Sequence, residues 1–316
     1  MISARSAFFL TEAVGAASTM AAASCLGVFD ALGAGSLTAA ELASRCGLAE
    51  AAAERLVLAL ASIGVLERDG GCYRLAVDAA LVESQSALWG RLPDVVRGGP
   101  TAGFDEASIA AGKYPSLVGF LHALGVAPAC RAAVPLAAGL PADGRVLEVG
   151  AGSAAWSLAL VAQQPSCQVT AFDLPRVLDV TRRSVQDAGR IDCYRFLAGD
   201  VFLDELGGHY DLALVANVVH LFGEDRAIEL LTRVAAALRP GGRLAVIDVM
   251  PNPGDPSRRA ALHDLSLLLR TRAGALHPYG SYARWLRRAG LEPIARHRLD
   301  PDWEVTLLLA SLVPGR

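Results

Sequence analysis

The chain alternates between short apolar runs and longer segments with helical spacing. Val146, Leu147 and Val149 read as a buried strand that stops on Gly150-Ala151-Gly152 and passes straight into an Ala/Leu helix. The same rhythm returns downstream. Apolar strands at 168–173 (QVTAFD), 193–198, 210–216 (YDLALVA) and 243–248 each end in a polar or glycine-containing turn. A helix after the fourth of these runs to Leu238 and breaks at Arg239-Pro240-Gly241-Gly242. Helices at 257–270 and 279–289 follow, and strands at 291–298 and 303–310 close the chain as an antiparallel edge pair. Strands alternating with helices predict an α/β fold around a mostly parallel sheet.

Upstream of residue 141 the pattern changes. Residues 6–32 read as an Ala-rich helix or helix pair. Thr38 and Glu41 have capping-box spacing at the start of the next helix. Residues 49–63 then place Leu56, Leu60 and Ile63 on one helical face, and 64–75 read as a hairpin turning on Asp69-Gly70-Gly71. Helix, turn, helix and hairpin make a winged helix. The region from Leu81 to about Pro141 carries weaker signals, with helices expected at 116–124 and 130–138. The expected organisation is a winged-helix domain over 1–95, a helical linker over 96–134 and a catalytic domain over 135–316.

Composition narrows the class. The chain has 316 residues, 53% of them hydrophobic, with a mean hydropathy of +0.37. Much of that is alanine in short amphipathic segments. The longest apolar run, Ala13 to Phe29, contains Ser18, Thr19 and Ser24 and lacks the flanks of a signal peptide. It is expected to be a buried or dimer-forming helix of a cytoplasmic protein. The net charge of -3 gives no global case for nucleic acid. Within the winged helix, six acidic residues (Glu41, Glu50, Glu54, Glu67, Asp69, Asp78) outnumber four arginines (Arg45, Arg55, Arg68, Arg74), and the second helix opens on acidic residues. DNA binding is therefore not expected. The six cysteines show no C-x-x-C spacing and read as core thiols in a reducing compartment, with no metal site. An excess of arginine and alanine points to a GC-rich bacterial genome.

The strand–glycine–helix element at 145–160 carries the first chemistry. Glycines remove side chains where a ligand approaches the backbone, and the helix N-terminus offers unpaired N–H groups. Gly150, Gly152 and Ala155 formally satisfy G-x-G-x-x-G/A, so this spacing alone leaves a dinucleotide open. Asp173, at the end of the second strand and 23 positions after Gly150, is placed to bond ribose hydroxyls. No second dinucleotide motif follows.

The succession VLEVGAGS, AFDLP, AGDVF, YDLALVANVVH and LRPGGRLAVID resembles class I S-adenosylmethionine-dependent methyltransferases. More narrowly, the chain is similar to small-molecule O-methyltransferases with an N-terminal winged-helix dimerisation domain. The likeness covers nearly the whole chain. It implies a Rossmann-like seven-stranded sheet and S-adenosyl-L-methionine as cofactor, with S-adenosyl-L-homocysteine as product. It also implies a homodimer joined through the N-terminal domain and an aromatic small molecule as methyl acceptor, with Phe104, Tyr114, Phe120 and His122 as candidates to touch it. Gly150 and Gly152 would admit the methionine portion of the cofactor, with Glu148 near its amino group. Asp173 would accept both ribose hydroxyls and Leu174 pack on the adenine. Asp200, Val201 and Phe202 would meet the other side of that ring, and Asn217, ending the fourth strand, completes the expected cofactor set.

His220 aligns with the histidine of the family's H-D-W-x-x-x-x-A stretch, with Ala227 seven residues on, and that histidine is the general base. Imidazole suits the role because its unperturbed pKa is about 6.5. The chain departs from the family at three places. Ala154 stands where many relatives have a third glycine, and Leu221-Phe222 replaces Asp-Trp. The acidic residue expected near the penultimate helix is replaced by His277-Pro278-Tyr279, leaving Asp248 and Asp264 as substitutes. C- or N-methyl transfer, and the non-methylating chemistry of some family members, are the alternatives. A cofactor-sensing DNA-binding regulator and an NAD-dependent reductase fit the residues less well.

Overall fold

The computed structural model describes residues 4–33, 35–101, 114–302 and 304–313. The chain divides into two compact units, Met1–Arg97 and Gly98–Arg316.

The first unit begins with α1 (Ala4–Cys25) and α2 (Val28–Leu32), which part at Gly27, a left-handed residue with φ of 70°. Then come β1 (Ser36–Thr38), α3 (Ala39–Cys46), α4 (Glu50–Ser62), β2 (Leu66–Asp69), β3 (Cys72–Leu75), α5 (Ala79–Gly90) and α6 (Leu92–Val96). The Thr38–Glu41 capping box forms: the Thr38 hydroxyl accepts from the Glu41 N–H at 3.2 Å, and the Glu41 carboxylate accepts from the Thr38 N–H at 2.7 Å. The hairpin turns on Gly70 and Gly71, both at positive φ, with Asp69 opposite Cys72. The sequence did not signal β1, which adds a third strand in the order β1-β3-β2. Ala23, Phe29, Leu42, Val57, Leu60 and Tyr73 form the core of this unit. One helical stretch among the described residues, Phe8–Cys25, is long and apolar enough to cross a membrane, yet only 6% of it is buried. Phe8, Leu10 and Val14 are 72%, 51% and 65% exposed.

Among the described residues, the first element of the second unit is α7 (Tyr114–Ala137). Two helices were expected here, but one helix runs through Pro128 and Pro135. An interior proline costs about 3 kcal/mol. What outweighs it is the stripe Ala129, Ala132, Ala133 and Leu136, all buried at i, i+3, i+4, i+7 spacing. Then follow β4 (Arg145–Val149), α8 (Ala155–Gln163), β5 (Gln168–Asp173), α9 (Pro175–Asp187), β6 (Tyr194–Ala198), β7 (Tyr210–Ala216), α10 (Glu224–Ala236), β8 (Leu238–Val249), α11 (Arg258–Arg270), α12 (Tyr279–Arg288), β9 (Leu291–Asp300) and β10 (Val305–Leu312).

The seven strands pair in the order β6-β5-β4-β7-β8-β10-β9. β4, β5, β6, β7 and β8 are mutually parallel, and β10 is antiparallel to both β8 and β9. The closing pair is thus present, with β10 inserted beside β8 and β9 at the edge. Trp303, the expected first residue of the last strand, lies outside the described residues. The order reverses at β4, between β5 and β7, and ligands bind at the carboxyl edge of such a switch point. The two faces bury separate clusters, one around Leu147, Phe172, Val215 and Trp285, the other around Val146, Leu160, Leu212 and Leu307.

Candidate active site

A cavity of about 510 Å³ opens at this carboxyl edge. Its wall is built from the ends of successive strands: Gly150 to Ser153 after β4, Asp173 and Leu174 after β5, Gly199 to Phe202 after β6, and Asn217 and Val218 after β7. Gly150 has φ of 70°, and a Cβ there would stand 2.5 Å from Cγ2 of Val218. Only glycine therefore leaves the cavity its shape. Gly199 is confined in the same way, since its Cβ would lie 2.8 Å from Asp204. Ala154 occupies a left-handed conformation, φ 57°, at which relatives' glycine would carry no Cβ penalty.

Asp173 accepts the Gly152 N–H at 2.9 Å on Oδ2 and the Leu174 N–H at 2.7 Å on Oδ1. Two further acceptor positions on the carboxylate are left toward the cavity wall it forms. Burial pushes its pKa up to about 6 against these two hydrogen bonds. Asp200 accepts from the Phe202 N–H at 2.8 Å, which fixes the turn after β6. Phe202 meets Phe222 edge-on at 5.0 Å and carries the Arg226 guanidinium 3.5 Å from its ring centroid. Asn217, left-handed at φ 56°, donates its N–H to the Ile247 carbonyl.

Glu148 is placed differently from the sequence expectation. It does not line the cavity. Side chains alternate along β4, so the face that carries Val149 to the cavity turns Glu148 away. Its carboxylate accepts from the Ser157 hydroxyl and, at 3.3 Å, the Ser157 N–H, and Ser157 also bonds the Tyr194 hydroxyl at 2.8 Å. Burial pushes its pKa up to about 7. In this arrangement Glu148 anchors the first turn of α8.

His220 lies in a short helical turn just past β7 and is 4% exposed. Val218, Leu221 and Phe222 around it line the cavity, while His220 itself does not. Its Nδ1 is 2.5 Å from Oδ1 of Asp248, a fully buried carboxylate on β8. Burial works against the charge on Asp248, but His220, the Tyr282 hydroxyl and the Val249 N–H outweigh it and hold the carboxyl below its ordinary value. The question left by the missing acid near α12 is answered by this pairing. Asp264 instead accepts the Leu276 N–H at 2.6 Å and fixes the loop that follows α11. That loop also donates the Ala275 N–H to the His220 carbonyl at 3.0 Å. Gly274 permits the approach, since a Cβ there would stand 2.7 Å from the same carbonyl oxygen.

His263 comes edge-on to His220 with ring centroids 5.2 Å apart. Burial, helped by the nearby His220 and Arg270, lowers its pKa to about 3. Of the candidates to touch substrate, Phe104 lies outside the described residues, as do the side chains of Tyr114 and Phe120. His122 bonds Ser153 in the glycine-containing turn at 2.9 Å. Sequence reasoning passed over Trp156, Phe222 and Arg226, all of which line the cavity. Trp156, the second residue of α8 and four positions after Gly152, is the one with a usable signal.

Residues 134–292 match the profile of an O-methyltransferase domain, and residues 10–81 that of an O-methyltransferase dimerisation domain. The chain belongs to the O-methyltransferase family. Its relatives include 3-hydroxy-5-methyl-1-naphthoate 3-O-methyltransferase of Streptomyces sahachiroi, 29% identical over 87% of this chain and 86% of that one. The tetracenomycin polyketide synthesis 8-O-methyl transferase of Streptomyces glaucescens is 28% identical over 85% of this chain and 86% of that one. Among solved structures, human N-acetylserotonin methyltransferase in complex with S-adenosylmethionine superposes with a TM-score of 0.73, at 22% identity and 98% coverage of both chains. Mitomycin 7-O-methyltransferase gives 0.74, at 23% identity and 98% and 97% coverage.

The cavity's residues fit S-adenosylmethionine, the molecule held in the human structure. A half-buried carboxylate with acceptor positions to spare suits a ribose diol, and the glycine turn leaves space a side chain would fill. Leu174, Val201 and Phe202 supply apolar surface for a base.

Proposed function

We propose that this O-methyltransferase methylates a hydroxyl of an aromatic small molecule in bacterial specialised metabolism, with His220 as general base. The observation that carries the reading is the buried His220–Asp248 pair, held in the turn whose Val218, Leu221 and Phe222 line the cavity. Asp248 stays ionised, so it accepts the Nδ1–H of a neutral imidazole and leaves the lone pair on Nε2. That nitrogen takes the proton of the acceptor hydroxyl, and the imidazolium formed is stabilised by the carboxylate on its other side. S-adenosylmethionine, when bound, supplies the electrophilic methyl group. Gly150, Gly152 and Asn217 hold its amino-acid end, Asp173 its ribose hydroxyls, and Leu174, Asp200, Val201 and Phe202 its base. The chain's own contribution beyond the base is alignment and exclusion of water.

The relatives' names point to hydroxylated fused-ring acceptors, and the apolar wall of Leu121, Trp156 and Leu221 favours an acceptor of that kind. Leu10 and Val14, exposed and apolar on α1 within the dimerisation-domain match, favour a homodimer. The test has two stages. Calorimetric titration with S-adenosylmethionine and S-adenosylhomocysteine should show binding that Asp173→Ala abolishes. Methyl transfer to hydroxynaphthoates should then fall about 10²–10⁴-fold in His220→Ala, with cofactor binding unchanged. Full turnover by His220→Ala would remove the base from this reading.

A further inference from the structure

Tyr282 lies on the buried face of α12 with Ala283, Trp285 and Leu286, and its side chain is fully enclosed. Its hydroxyl donates to Oδ2 of Asp248 at 2.8 Å. The carboxylate thus collects donors on both oxygens. Oδ1 accepts from Nδ1 of His220 and the Val249 N–H, and Oδ2 from the His220 N–H at 3.3 Å and the phenol. We propose that Tyr282 is a positioning residue for methyl transfer: by holding Oδ2 of Asp248 it fixes the plane of the carboxylate and sets how tightly His220 keeps a proton on Nε2. This rests on His220 being the base.

The physical argument concerns competition for one carboxylate. Each donor draws charge from it, and a carboxylate relieved of one donor becomes a stronger acceptor for the others. The phenol therefore weakens the pull of Asp248 on the imidazole. The other groups facing the dyad do not replace this effect. His263 and Arg270 come from α11, His277 precedes α12, and Asp264 and Glu224 act on His277 from α11 and α10. Burial keeps His263 neutral, and lowers His277 as well. Burial and the adjacent Asp248 push the Tyr282 phenol well above its ordinary value, so it remains a donor throughout the working range. Removing its hydroxyl changes the dyad without changing its charge.

The experiment is a titration of the His220 ring in the full-length protein by ¹³Cε1 NMR, with the resonance assigned through His220→Asn. Wild type is compared with Tyr282→Phe and Tyr282→Met, which share only the missing hydroxyl. Thermal melts check that each variant is folded. In both, the His220 midpoint should rise by about half a pH unit or more, because the carboxylate left with fewer donors favours imidazolium. A purely structural tyrosine predicts a lower Tm and an unmoved midpoint, and that result, or a fall in the midpoint, overturns the proposal. A wild-type His220 that shows no titration between about pH 4 and 10 overturns the base assignment itself and the role of Tyr282 with it.

Discussion

At the scale of single residues, the site depends on a few groups held against their intrinsic preferences. Asp173 is the sharpest case. Its folded pKa of about 6 is raised from an ordinary 3.8 by burial, so the ligand-free fold keeps its proton to a higher pH than the unfolded chain does. A raised carboxyl adds stability at low pH that is lost as pH rises through the folded value. Glu148, raised to about 7, acts in the same direction. Ligand-free protein should therefore lose stability between about pH 4 and 7 from these two groups, read from thermal melts across that range. Cofactor affinity should move oppositely, weakening as pH falls through 6, because a ribose diol needs the ionised acceptor. Calorimetry in buffers of different ionisation enthalpy should detect proton release on binding at pH 6. Ala154 is the second case. A left-handed alanine costs about 1–2 kcal/mol, partly offset by the lower unfolded-state entropy it brings. Ala154→Gly should raise stability by about 0.5 kcal/mol or more, seen as a higher midpoint in denaturant. A lower midpoint would mean that the buried methyl packs well enough to outweigh the strain.

Elements set where these residues meet. The parallel strands β4, β5, β6 and β7 bring four turns to one edge, and every expected cofactor residue except Glu148 lines the cavity there. β8 contributes differently: Asp248, near its end, reaches the turn after β7. The loop between α11 and α12 closes around His220 through the Ala275 N–H and the tight approach of Gly274. Gly274→Ala would drive a methyl group into the His220 carbonyl and the Thr271 hydroxyl, at 2.7 and 2.6 Å. The loop must then shift, and methyl transfer should drop about tenfold or more while cofactor binding, assigned to the turns after β4, β5 and β6, stays within about twofold. Equal loss of both would show that the loop supports the whole edge.

On the scale of the whole molecule, the N-terminal unit explains an apolar surface that a solitary chain would leave in water. Phe8, Leu10 and Val14 are exposed on α1, and the last two fall within the dimerisation-domain match. If a second copy covers them, Leu10→Glu with Val14→Glu should convert the protein to monomer in light scattering without unfolding the catalytic unit. A persistent dimer would place the interface elsewhere in residues 10–81 or beyond. The sheet in the other unit needs no such cover, since both of its faces are buried by the chain itself.

Local chemistry determined much of this protein from sequence alone. Alternating apolar strands, the Gly150–Gly152 turn, Asp173 at a strand end and the Thr38–Glu41 cap are signals carried by neighbours within a few residues. Each is found where its spacing placed it. Tertiary structure decided what depends on contacts between distant segments. The partner of His220 is 28 positions away on another strand, and only strand order brings Asp248 to it and turns Asp264 to Leu276. Tyr282, 34 positions from Asp248, carries no sequence mark of its contact. The single helix through Pro128 and Pro135 contradicts local propensity because its buried alanine stripe outweighs it. Glu148 shows the same division in one residue: the sequence placed it at the cofactor's strand, and the pleat of that strand turned it to Ser157.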